Sequence, residues 1–147
     1  MIKILHSYWA YLVLIVLICS VVKAFFGYVL KKQYTPKMFQ IALLSLIATH
    51  IQFLIAVILY FTSNRFLLWS ELGMSEVMKT PIHRLYLVEH PFINILAIAI
   101  ITIGYSKHKK ERLSNFKYKT LSITYFIALV LILSRIPWEV WPGLTFN

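Results

Sequence analysis

Four apolar stretches fill most of this 147-residue sequence, running roughly over 5–28, 38–61, 85–105 and 118–136. A helix that crosses a bilayer needs about 20 mostly apolar residues, and each stretch is near or above that length. Hydrocarbon offers no partner to backbone N–H and C=O groups, so each stretch must close its own hydrogen bonds as a helix. The expected fold is an all-α integral membrane protein. It forms a single transmembrane domain over residues 1–147, built as a four-helix transmembrane antiparallel bundle.

Composition agrees. The chain is 60% hydrophobic, whereas soluble domains run at about 45–50% apolar. Its 15 Lys and Arg against 5 Asp and Glu would suggest nucleic acid in a soluble protein. Here the cations gather at helix ends, where they read as topology signals and contacts to anionic headgroups. No nucleic-acid partner is expected. Lys3 precedes an apolar run that continues to Val22 with no A-x-A site after it, so the first stretch reads as an uncleaved span.

The loops set the orientation. Lys31, Lys32 and Lys37 join spans 1 and 2, and Lys107, Lys109, Lys110, Arg112 and Lys117 join spans 3 and 4. By the positive-inside rule these two loops are cytoplasmic and both termini lie outside. The expected home is a bacterial inner (cytoplasmic) membrane, with a multi-pass topology. Trp9, Trp69, Trp138 and Trp141 then fall near the outer interface, and Pro137 and Pro142 end the last helix. In the long loop, Ser70–Met78 reads as a short interfacial helix weakened by Gly73. Thr80-Pro81 reads as the start of the third helix. Pro91 is expected to kink that helix and free a carbonyl about one turn earlier.

Several chemistries are excluded. The chain has no Asp, and so no Ser–His–Asp triad, no Walker loop and no H-E-x-x-H motif. Its single Cys19 allows no intrachain disulfide and no C-x-x-C-H haem attachment. The informative residues are polar ones inside spans, where an ionisable side chain is a functional hypothesis by default. Helical periodicity groups His6, Ala10, Val13, Leu17, Ser20, Ala24 and Gly27 on one face of span 1. It groups His83, His90, Asn94, Ala97, Ile101, Gly104 and His108 on span 3, and Thr120, Thr124, Ala128, Leu131 and Arg135 on span 4. Membrane helices pack through such small and polar stripes.

A helix rises about 1.5 Å per residue, and Tyr28, Met38, Tyr105 and Tyr118 mark the cytoplasmic ends of the four spans. His50 then stands roughly 18 Å above the cytoplasmic side, His90 about 22 Å, Arg135 about 26 Å and His6 about 33 Å. Two histidines on different helices at similar depth, with a cation above, suit a b-type haem: His50 and His90 on the iron, His6 and Arg135 toward the propionates. A His6–His90 pair is the other option. Gln52 and Asn94 are candidate partners for the second ring nitrogens. His83 and His108 are expected at the interfaces. Glu89 can pair with Arg84 or Arg135.

His6-Ser7 opening span 1, His50-x-Gln52 followed by Ile58-Leu59-Tyr60 in span 2, Glu89-His90-Pro91, and Ile103-Gly104 before a basic run form a pattern over nearly the whole chain. It resembles small bacterial four-helix membrane proteins labelled cytochrome-b-like. That family's pattern has a further His shortly before the glycine, where this chain has Thr102. The resemblance implies a haem-binding membrane protein.

The leading expectation is therefore electron transfer through one haem b, with quinone or a redox partner subunit as partner beside the lipid bilayer, and a possible homo-oligomer. The alternative is a non-catalytic integral membrane subunit or assembly factor with structural histidines. A third is a copper or zinc site at His6, His50 and His90, disfavoured by the lack of Met or carboxylate ligands at matching depth. With Cys19 replaced, a cysteine at Ser75 is expected to react with an impermeant thiol reagent from outside, and one at Ser114 is not. Outside labelling of position 114 would reverse the topology.

Overall fold

The first helix ends where its backbone turns left-handed. Lys31 has φ of 48°; the Lys31 amide donates to the Tyr28 carbonyl and the Lys32 amide to that of Gly27. This is the Schellman closure, which satisfies the last carbonyls of a helix and ordinarily places glycine at the left-handed position. Thr35 opens the second helix, its side chain accepting from the Met38 amide at 3.2 Å, with Pro36 in the first turn. The computed structural model describes residues 1–140. Trp141 and Pro142 lie outside the described residues.

The elements are α1 (Ile2–Val29), α2 (Pro36–Thr62), α3 (Leu68–Glu71), α4 (Gly73–Lys79), α5 (Pro81–Arg84), a π turn (Leu85–Glu89), α6 (His90–Lys110), α7 (Ser114–Ser134) and a 3-10 turn (Trp138–Val140). Among the described residues there is no strand. Four helical segments, Ile2–Val29, Pro36–Thr62, Pro81–Lys110 and Ser114–Ser134, are long and apolar enough to cross a membrane. Leucines, isoleucines and phenylalanines cover the outside of the bundle, among them Ile15, Phe25, Leu54, Phe92 and Phe126. The chain is a multi-pass, all-α four-helix membrane bundle.

Gly73, at φ of 76°, divides the expected loop helix into α3 and α4, and Val77 anchors the segment with no exposed surface. Pro91 acts as expected. It has no N–H to offer the Leu87 carbonyl one turn earlier, and the Tyr60 hydroxyl donates to that oxygen at 3.0 Å. Trp69 Nε1 donates in turn to Tyr60 Oη at 3.1 Å, tying the loop to the second span. Just before the proline the helix widens, and the His90 amide reaches back to Leu85. Such π turns often mark functional sites.

Packing runs in a ring. α7 lies closely against α1 and α6, α1 lies against α2, and the α2–α6 contact is the sparsest of the four. α1 therefore faces α6 across one diagonal of the bundle, and α2 faces α7 across the other. Tyr125 fills the centre, fully buried, and its hydroxyl crosses from α7 to the Ala42 carbonyl of α2 at 2.9 Å. Ser20 and Ser45 join α1 to α2 at 2.8 Å. The buried faces of α1 and α6 follow the expected stripes through Leu17, Ser20, Ala24 and Gly27 and through Ala97, Ile101 and Gly104. On α7 the inner face is Tyr118, Leu121, Tyr125, Ala128 and Ile132. The threonine stripe expected there is only half-buried; Tyr118 takes the space beside Gly27, and Thr124 the space beside Gly104.

These two glycines set the spacing. A methyl group on Gly27 would run into the Tyr118 ring, and one on Gly104 into the Thr124 side chain. Gly27→Ala and Gly104→Ala are each expected to cost about 1–3 kcal/mol through overpacking, read as a lower unfolding midpoint in detergent. Either variant melting with the parent would show that α7 can shift without loss.

Candidate functional site

Near the end of the bundle that carries the N-terminus, α1 and α6 bring two histidines together across the diagonal. The His6 and His90 ring centroids stand 6.3 Å apart with the planes at 73°. His90 Nδ1–H donates to the Arg135 carbonyl at the end of α7, at 2.7 Å. A carbonyl can only accept, so this bond sets the tautomer and leaves Nε2 with its lone pair. Gln52 on α2 holds His6. Its amide nitrogen donates to the His6 carbonyl at 3.0 Å and lies 3.1 Å from His6 Nδ1. Gln52 Oε1 is buried without a partner. Asn94 serves no ring nitrogen, because its amide donates to the His90 carbonyl at 2.6 Å.

His50 is elsewhere. It is exposed on the flank of α2, its Nδ1–H donates to the Leu46 carbonyl at 2.8 Å, and its Nε2 lies 3.5 Å from Thr102 Oγ1. From His90 to Thr102, α6 descends about 18 Å, so His50 and His90 do not share one site. The depth count paired them because it followed the backbone alone. Side chains lean toward the N-terminus of their own helix. α2 and α6 are antiparallel, so His50 leans down toward the basic loops while His90 leans up toward His6. The alternative His6–His90 pair is the one the fold assembles. Nor do the three histidines form a common site: among the described residues no group of three His, Cys, Asp or Glu comes together as a metal site.

Beside the pair sits a charged cluster. Glu89 Oε1 accepts from Arg84 Nε at 2.8 Å, and Glu89 Oε2 lies 3.3 Å from Arg135 Nε. Arg135 was expected to face inward with the last span. It caps α7 instead, its side chain about half exposed, and one carboxylate serves two guanidinium groups.

No family model, curated protein or solved structure matches this chain.

Two further histidines complete the picture. His83 lies half-buried in α5, outside the pair. His108 was expected at the interface with its lysine neighbours, but it is fully buried. It packs against the rings of Tyr34, Phe39 and Tyr105 at 5.8, 6.0 and 4.9 Å. Its position one turn after Gly104 keeps it on the core face, while Lys107, Lys109 and Lys110 stay exposed. Trp9 is held more firmly than a free interfacial indole, donating to the Ala48 carbonyl at 2.9 Å.

Partly exposed ion pairs are worth about 0–1 kcal/mol. A double-mutant cycle on Glu89→Gln and Arg135→Leu is therefore expected to give a coupling of about 0.5 kcal/mol, measured by unfolding in detergent. Strictly additive losses would remove Glu89 as the partner of Arg135.

Proposed function

We propose that this protein holds one b-type haem between His6 and His90 and works in electron transfer within a bacterial inner membrane, its basic loops in the cytoplasm. The carrying observation is the separation of the two rings. The chain has 6.3 Å, on diagonally opposed helices. His6 and His90 would hold the iron between them, each through one ring nitrogen, and the group would bring one-electron chemistry to that place. Each ring is held from outside the pair, His90 through the Arg135 carbonyl and His6 through Gln52, and their ring nitrogens would be the ligands to the iron.

Haem bound there supplies reversible one-electron transfer. The protein's part is to hold and orient. Arg84 and Arg135 share one carboxylate between them, so the cluster keeps a net positive charge suited to a propionate. The sparse α2–α6 contact leaves that side of the bundle easiest to open for a flat ligand. Quinone or a redox subunit is the natural exchange partner at this end of the membrane.

A second reading, a non-catalytic subunit with structural histidines, draws on the bonds from Gln52 to His6, because such contacts alone are worth about 0.6–2 kcal/mol in a membrane bundle. Absorption spectra of the purified protein, oxidised and dithionite-reduced, separate the two. A Soret band is expected in the parent, lost in His6→Ala and in His90→Ala, and retained in His50→Ala. A parent with no such band after expression with added haem precursor would leave the structural reading standing.

A further inference from the structure

At the end of the bundle opposite the histidine pair, the two basic loops meet and form a groove of about 360 Å³, lined by Lys31, Lys32, Gln33, Arg112, Ser114 and Asn115. The loops are clasped to each other. The Tyr34 amide donates to Ser114 Oγ at 3.0 Å, Ser114 Oγ to Gln33 Oε1 at 3.1 Å, and Tyr118 Oη to the Gln33 carbonyl at 3.1 Å. Three cations and no carboxylate line this groove. The 21-residue helix α7 begins in it with no side-chain cap from Leu113; the Phe116 and Lys117 amides bond to the Leu113 carbonyl, which leaves the Ser114 and Asn115 N–H groups of the first turn for an acceptor.

Charge sorting during insertion needs only a number of cations on one side. It does not need them held around a cavity, nor a lysine in a left-handed backbone, where a side chain is disfavoured. Tyr34, beside Gln33, adds no negative charge, because burial and then the neighbouring Tyr118 and Tyr105 push its phenol above the ordinary range.

We infer that this groove is a binding site for one phosphate-type anion, supplied by an anionic lipid headgroup or by a soluble phosphate compound. The ends of α1 and α7 that frame it are the ends of spanning helices, which sets it at headgroup level. Lys31, Lys32 and Arg112 supply the charge, and the start of α7 supplies the directed donors.

The test uses the full chain in neutral detergent doped with phosphatidylglycerol or phosphatidylcholine, with retained lipid counted by native mass spectrometry. One phosphatidylglycerol per chain is expected, with no comparable retention of phosphatidylcholine. At about 1 kcal/mol for each cation at a membrane surface, Lys32→Gln with Arg112→Gln should weaken retention about thirtyfold. Lys107→Gln with Lys110→Gln removes the same charge outside the groove and should leave retention unchanged. Lys31→Gly suits the left-handed backbone, so it should lose affinity while unfolding no earlier than the parent. Displacement by millimolar inorganic phosphate would support the site with a soluble occupant, and resistance to it would support a lipid. Equal loss in both double variants, or full retention after Lys32→Gln with Arg112→Gln, would overturn the site.

Discussion

Hydrocarbon offers nothing to hydrogen-bond with, and this bundle is organised by that constraint. Backbone groups answer it by closing into helices. Polar side chains answer it by reaching carbonyls inside the protein. Tyr125 crosses the core to Ala42, Tyr60 meets the carbonyl that Pro91 leaves free, Trp9 bonds to Ala48, and His90 bonds to Arg135. Each of these bonds joins a different pair of segments. Together they set the positions of the spanning helices more sharply than the apolar contacts, which differ little from contacts with lipid.

Close approach then decides where the bundle is tight and where it is loose. Gly27 and Gly104 let α7 settle against both α1 and α6. With α7 drawn in, α2 is left leaning on α1, and its seam with α6 stays thin. The polar residues that face this seam, His50 and Thr102 among them, touch only at the limit of a hydrogen bond. The histidine pair lies higher, between the diagonal helices, where the π turn before His90 and the proline after it alter the regular path of the third span.

The two ends of the molecule differ in their chemistry. At the end with the N-terminus, Arg84, Glu89 and Arg135 form a partly neutralised cluster beside two imidazoles. At the other end Lys31, Lys32 and Arg112 line a groove without a carboxylate. An arginine pair around one acid leaves a single positive charge beside the imidazoles. An unneutralised groove with helix N–H groups favours a phosphate. The two ends thus carry different surpluses of positive charge, one gathered around a single acid and the other without any.

The number of spans, their helical form, the start of the third span at Pro81, the break at Gly73 and the freed carbonyl before Pro91 were all legible in the residues, because each follows from local chemistry: length against bilayer thickness, fixed proline geometry, glycine's access to positive φ. The inner faces of α1 and α6 were legible too, since small residues recur there at helical spacing. The partner of His90 was not. Depth counted along the backbone matched it to His50, and only the assembled bundle shows the side chains of antiparallel helices leaning apart, His50 toward Thr102 and His90 toward His6. The burial of His108 and the large residues on the inner face of α7 were decided in the same way. Local sequence sets what each helix is; which side chains meet depends on tilt, lean and closeness of approach, and these exist only once the helices have packed.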